Sequence, residues 1–148
     1  MSEGANQVKL QLSSKCLLPV LMIVMVSAAA VAAQKLKSLT TSAKGQGTIK
    51  IASLDEHKLT SVMVILKENG DADFTFYADL QLSATGTWSM GESLSDGIDL
   101  KITGGVVSGN ATGSGKLFLR GDRKSIDRLT LDARTTGDRK VTLKFVAD

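Results

Sequence analysis

The residues with the clearest capacity for chemistry are the consecutive Asp55, Glu56 and His57. Two carboxylates beside an imidazole could hold a hard metal ion or serve acid–base catalysis in a hydrolase. His57 is the only histidine, no zinc-site spacing accompanies it, and no Gly-x-Ser-x-Gly segment supplies a nucleophilic serine. The pattern therefore favours a solvated turn. We predict no catalytic residue, no metal ligand and no cofactor-binding residue.

The segment Gly113-Ser114-Gly115-Lys116 has the glycines and the lysine of a phosphate-binding loop. That loop needs Ser or Thr after the lysine, a glycine five residues before its second glycine, and a following helix. Here Leu117 follows the lysine, Asn110 stands five residues before Gly115, and the next element has a strand pattern. We interpret the two glycines as residues that relieve crowding at a bend or bulge of a sheet.

Two tripeptides match short recognition signals. Arg120-Gly121-Asp122 is a sequence that some adhesion receptors bind, but it also fits a hairpin tip in which glycine supplies a positive φ. Asn110-Ala111-Thr112 fits a glycosylation acceptor, which has meaning only in a eukaryotic secretory route. We interpret the first tripeptide as a turn.

Trp88 is the only tryptophan of the chain. It shares a strand face with Leu82 and Ala84, which predicts a place in the core. The alternative is that Trp88 forms the wall of a cavity for a small apolar ligand.

Charge is distributed unevenly along the chain. Residues 45–100 hold three bases and nine acids, whereas residues 101–148 hold ten bases and five acids, including all five arginines. Arg128 and Arg134 lie six residues apart, which places them on one face of a strand. They are candidates for a face that contacts an anionic surface or an acidic partner, although complementary charge between strands is the simpler reading. The stretch has no interleaved aromatic residues, so we predict no nucleic-acid binding.

The elements that position these residues are strands. From Gly45 onward apolar residues recur with a period of two, and turn signals such as Asn69-Gly70 separate the runs. About eight antiparallel strands fit, closed into a small up-and-down barrel or a two-sheet sandwich, in an all-β domain over residues 45–148. In the clearest run we expect one set of side chains to face the interior: Leu80, Leu82, Ala84, Trp88 and Met90. We expect the alternate set to face water: Gln81, Ser83 and Thr87.

Two features complicate this pattern. Met63 and Ile65 make both faces of the second strand apolar, which indicates burial on both sides or a bulge. Residues 45–51 also align with residues 113–119, so strands one to three resemble strands six to eight. An approximate two-fold symmetry of one barrel is the structural interpretation, and chance similarity of amphipathic hairpins is the alternative.

An apolar segment precedes the domain. Residues 16–33 contain one polar residue, Ser27, and follow Lys9 and Lys15. Small residues close the segment, which predicts a signal peptide over residues 1–33 that is cleaved before Gln34. An uncleaved membrane anchor is the alternative. Residues 34–44 are interpreted as a flexible tether.

The sequence therefore predicts an exported, periplasmic or extracellular binding or accessory protein that is not an enzyme. A small barrel that carries an apolar ligand is the first alternative, and an enzyme of unrecognised type is the second. We expect contact with a membrane only if the N-terminal segment stays uncleaved.

Overall fold

A computed structural model describes residues 36–52, 56–105 and 110–148. Strands form where the apolar residues alternate, because each strand can then bury one face. The elements are β1 (Leu39–Ile51), β2 (Glu56–Leu66), β3 (Asp71–Tyr77), β4 (Gln81–Met90), a one-turn 3₁₀ helix (Leu94–Asp96), β5 (Ile98–Gly105), β6 (Ala111–Leu119), β7 (Ile126–Thr135) and β8 (Lys140–Ala147).

The eight strands close into an up-and-down antiparallel barrel, so the barrel and not the sandwich is the correct form of the predicted fold. Each strand pairs with its neighbours in sequence, and β1 closes the ring against β8 from Gly45 opposite Ala147 to Ile51 opposite Val141. We call the end that carries the β2–β3, β4–β5 and β6–β7 turns the lower end. The upper end carries the other connections.

The interior of the barrel is filled by apolar side chains from every strand, and no polar or charged side chain of the described residues is buried. On β4 the predicted alternation holds, with Leu82 and Ala84 buried. Trp88 and Met90 face the same side and are half-buried. Leu80 is a wrong prediction: it is 40% exposed, because β4 begins one residue later and Leu80 lies in the turn above the barrel rim.

The first strand begins earlier than the sequence predicted. Residues 39–44 belong to β1 and pair with β2, from Leu39 opposite Leu66 to Lys44 opposite Ser61. Their small and polar side chains predict a tether, because Leu39 is the only one of the six that is buried. The predicted signal peptide or anchor, residues 1–33, lies outside the described residues.

A bulge accounts for the irregular second strand. The β1–β2 register shifts between Lys44 and Gly47, where two β1 residues stand opposite one β2 residue. At this point the inward-facing residues of β2 change from odd-numbered positions, such as Leu59, to even-numbered positions, such as Val62. Met63 and Ile65 consequently lie on the outer side, half-buried.

The barrel excludes the two-fold interpretation of the sequence repeat. Strand direction alternates around the ring, so rotation about the barrel axis superposes only strands an even number apart. A two-fold axis perpendicular to the barrel axis reverses the order of strands around the ring. The repeated segments differ by five strands and keep their order, so neither rotation relates them.

Candidate functional site

His57 lies at the upper end of β2 and is half-buried. Its Nδ1 atom is 2.9 Å from Asp79 Oδ1 and 3.1 Å from Asp79 Oδ2, so the pair joins β2 to the β3–β4 turn. Asp55 lies outside the described residues. Within the described ranges, no three His, Cys, Asp or Glu side chains gather as a metal site. The pair orients an imidazole, and no described hydroxyl group is hydrogen-bonded to it.

The Arg120-Gly121-Asp122 segment forms the β6–β7 turn. The Asp122 carboxylate accepts hydrogen bonds from the backbone N–H groups of Lys124 and Ser125, both at 2.8 Å, and from the Ser125 hydroxyl. These bonds, the one from the Ser125 hydroxyl foremost, lower the pKa of Asp122 to about 2. The positive φ falls on Arg123, two residues after the predicted Gly121, in the turn that the Asp122 carboxylate bonds close.

Trp88 packs at the lower end of the barrel. Its indole N–H donates to the Lys67 carbonyl at 2.8 Å, and its backbone N–H donates to the Gly70 carbonyl at 2.9 Å. Both N–H groups of the residue are therefore bonded to the β2–β3 turn. A ligand cavity beside Trp88 stays a prediction.

Arg128 and Arg134 are exposed on the outer face of β7, as predicted, with Asp132 between them. The Arg128 guanidinium lies 4.1 Å from the centre of the Phe118 ring, a cation–π contact. Arg134 pairs with Asp138 at 2.8 Å. Six residues of strand span about 20 Å, so the two arginines cannot hold one small anion together.

Open depressions follow the outer face of β6, where the side chains are small. One of about 440 Å³ lies over Thr112 and Ser114, and a second of about 280 Å³ reaches Lys116 and Thr130. Ion pairs border them, Lys140 with Asp132 at 3.8 Å and Lys116 with Asp99 at 3.4 Å. The described depressions are therefore polar and lie on the surface.

Barrel closure assembles a surface that the sequence did not reveal. The outward residues Lys58, Thr48, Lys144, Thr130 and Lys116 stand opposite one another across β2, β1, β8, β7 and β6. We call this set the lysine row. Its three lysines are exposed and its two threonines are half-buried.

Four further outward basic residues surround the lysine row: Lys50, Arg128, Arg134 and Lys140. We call these four residues together with Lys58 and Lys144 the basic face. Lys50 and Lys58 come from the acidic half of the sequence. They lie beside Lys144 only because β1 pairs with β8 when the barrel closes. The sequence does not show this pairing, so these residues were not predicted from it.

Comparison with protein-family models, with curated proteins and with solved structures gives no match for this chain. In the part of the chain that the structure describes, no helix has the length and apolar character needed to cross a bilayer.

Proposed function

We propose that the protein is an exported binding module that holds an anionic partner on the outer surface of its barrel. The observation that carries this proposal is the basic face, where six cations stand on the neighbouring strands β7, β8, β1 and β2 and outnumber the three acids among them, Glu56, Asp132 and Asp138. Clustered cations raise the local concentration of anionic partners and steer their approach.

The filled interior supports surface binding over enclosure of an apolar ligand. Three phenylalanines, Phe74, Phe76 and Phe145, are at most 1% exposed and occupy the space that a carrier would keep for its cargo. Burying large aromatic side chains this way gives the barrel its stability, and it leaves the outer wall as the surface available for recognition.

Chromatography on a sulfonate resin tests the basic face. We expect the Lys50→Ser, Lys144→Ser variant to elute at lower salt than the matched Lys37→Ser, Lys124→Ser control, which has the same net charge but leaves the basic face intact. Retention should fade above roughly 0.15 M salt, where the screening length is about 8 Å. Equal elution of the two variants would show that net charge alone governs retention and would refute the proposed face.

Export is tested by the mass of the mature protein. We expect an N-terminus at Gln34, because Val31 and Ala33 offer the small residues that a signal peptidase needs before the cut. An intact N-terminus in a membrane fraction would contradict cleavage and favour the anchor.

A further inference from the structure

The β2–β3 turn contains Asn69-Gly70, which is the one Asn-Gly pair in the sequence. Glycine has no side chain to shield its backbone nitrogen, so this nitrogen can attack the side-chain amide carbon of the asparagine before it. Asn69 is exposed, Gly70 is half-buried, and the φ of Gly70 is +90°. The two residues that would react therefore lie at a hairpin tip that water reaches.

Hydrogen bonds of the turn hold both reacting groups. The Gly70 N–H donates to the Lys67 carbonyl at 3.0 Å, which opposes loss of its proton and attack by its nitrogen. The Asn69 side chain donates from Nδ2 to Asp71 Oδ2 at 2.8 Å and accepts at Oδ1 from the Asp71 N–H at 3.0 Å. Reaction between Asn69 and Gly70 therefore requires these bonds to open first.

Trp88 connects the same turn to β4. Its indole N–H donates to the Lys67 carbonyl, the group that also accepts from Gly70, and its backbone N–H donates to the Gly70 carbonyl at 2.9 Å. Opening of the turn at Gly70 therefore also disturbs its contacts with β4. The fold thus opposes the reaction at both residues of the pair.

We propose that Asn69 is a site of spontaneous deamidation and that opening of the β2–β3 turn sets its rate. When the turn opens, the Gly70 nitrogen bonds to Asn69 Cγ and the bond from Cγ to Nδ2 breaks. Ammonia leaves with the proton that the Gly70 nitrogen gives up, and a succinimide ring remains. Water then opens the ring at one of its two carbonyls, which gives aspartate or isoaspartate at position 69.

The product is unable to restore the turn. An aspartate at position 69 lacks the Nδ2 donor and places a carboxylate against that of Asp71, where the contact is now 2.8 Å. Two like charges at this distance repel each other. An isoaspartate also lengthens the backbone before Gly70 by one carbon atom, which moves Gly70 relative to Trp88. The modification therefore weakens the contact between the turn and β4.

Peptide mapping by mass spectrometry tests the site in the full-length protein, incubated at mildly alkaline pH either folded or in urea. In urea we expect Asn69 to react faster than Asn110, because the side chain of Ala111 shields the nitrogen that follows Asn110. In the folded protein Asn69 should react at least about tenfold more slowly than in urea, because the hydrogen bonds of both reacting groups must open. Asn69 reacting no faster than Asn110 in urea would overturn the site. Equal rates at Asn69 in the two conditions would overturn its control by the turn.

Asp71→Ala tests the contribution of the turn's own hydrogen bonds. The substitution removes the acceptor of the Asn69 amide, so the ratio of the folded rate to the urea rate should rise by about fivefold, the effect of one hydrogen bond. The matched control is Asp132→Ala, which makes the same change of net charge on β7. The ratio cancels any effect of a substitution on the unfolded chain. Equal ratios for the two variants would refute the role given to the Asp71 carboxylate.

Asn69→Asp tests the effect of the product. We expect this variant to unfold at a lower urea concentration than Asn110→Asp, which adds the same charge at an exposed residue outside the turn. Circular dichroism during urea denaturation compares the two proteins. Equal midpoints would contradict the conclusion that the modification weakens the turn.

Discussion

Two polar side chains at the lower end of the barrel, those of Asp122 and Trp88, form hydrogen bonds with turn residues. The Asp122 carboxylate accepts hydrogen bonds from three donors of the β6–β7 turn, and the Trp88 indole N–H donates to a carbonyl of the β2–β3 turn. Both groups therefore form hydrogen bonds within the protein rather than with an external ligand. At the residue scale, the consequence is that their substitution should alter stability, and each case can be measured.

Ser125→Ala should raise the pKa of Asp122 from about 2 toward its ordinary value of 3.8, because the Ser125 hydroxyl is the main cause of the lowering. A lowered carboxyl pKa stabilises the fold above about pH 4 and loses that effect as pH falls toward 2. The wild type should therefore lose stability more steeply than Ser125→Ala in this window. Carboxyl titration by NMR, with denaturation at each pH, measures both; identical titration midpoints would contradict the assignment.

Trp88→Phe removes the indole donor and leaves the Lys67 carbonyl with the hydrogen bond that it accepts from the Gly70 N–H at 3.0 Å. We expect the free energy of unfolding to fall by about 1 kcal/mol, the usual net value of one hydrogen bond. Urea denaturation followed by circular dichroism measures it. A loss above about 3 kcal/mol would instead indicate that the ring is a central part of the core.

At the scale of elements, β6 depends on glycine where it packs against β7. A Cβ atom on Gly113 would lie 2.1 Å from the Asp132 carbonyl oxygen, and one on Gly115 would lie 2.3 Å from the Thr130 carbonyl oxygen. The obstacles are backbone atoms, which cannot move without disturbing the β6–β7 ladder. The glycines thus relieve crowding between strands, as predicted, but they do not lie at the predicted bulge, because the β6–β7 register shifts only between Phe118 and Leu119.

Gly113→Ala should destabilise the barrel by at least about 2 kcal/mol, as expected for forced overpacking. Gly121→Ala is the matched control, because nothing lies within 4 Å of its Cβ position, and it should change stability by less than about 0.5 kcal/mol. Thermal unfolding of both variants compares them. Similar melting temperatures would show that the strands can separate enough to admit a methyl group.

Strand existence was predictable where alternation is strict, and strand limits were not. Leu82 and Ala84 on β4 follow from the period of two, and so do the outward Arg128 and Arg134 on β7. Leu80 keeps the same parity but lies in a turn, since periodicity does not tell where pairing stops. The start of β1 was missed for the opposite reason, because pairing with β2 holds residues whose side chains carry little apolar signal.

At the scale of the whole molecule, charge is polarised across the barrel. Asp71 and Asp73 on β3 lie opposite β7 in a ring of eight strands, and β7 carries Arg128 and Arg134, whereas Lys58 of the basic face lies on β2 beside β3. Such a distribution orients the molecule toward an anionic partner before contact. The lysine row is a property of the whole molecule, because its residues come from five strands that are neighbours only in the closed ring. No local sequence pattern predicts that these residues stand opposite one another.

Arg128→Ser, Arg134→Ser should elute from a sulfonate resin earlier than the wild type but later than Lys50→Ser, Lys144→Ser. Arg134 is already paired with Asp138 at 2.8 Å and Arg128 lies over the Phe118 ring, so both guanidinium groups are less available to the resin than Lys50 and Lys144, which make no ion pair among the described residues. A salt gradient at one pH ranks the three proteins. The reverse order would make the two arginines the principal contact.

The β1–β8 ladder affects the rate of folding. Seven of the eight strand pairings join neighbours in sequence, whereas this one joins residues about a hundred positions apart. We expect the hairpins to form early and ring closure to limit the rate, since distant contacts carry the greater entropic cost. Weakening β8 by Val141→Ala should then slow refolding more than Ala72→Gly on β3, per unit of stability lost. Until closure, β1 and β8 each present an unpaired edge, and this is the interval in which the nascent chain is open to misassembly with its own copies.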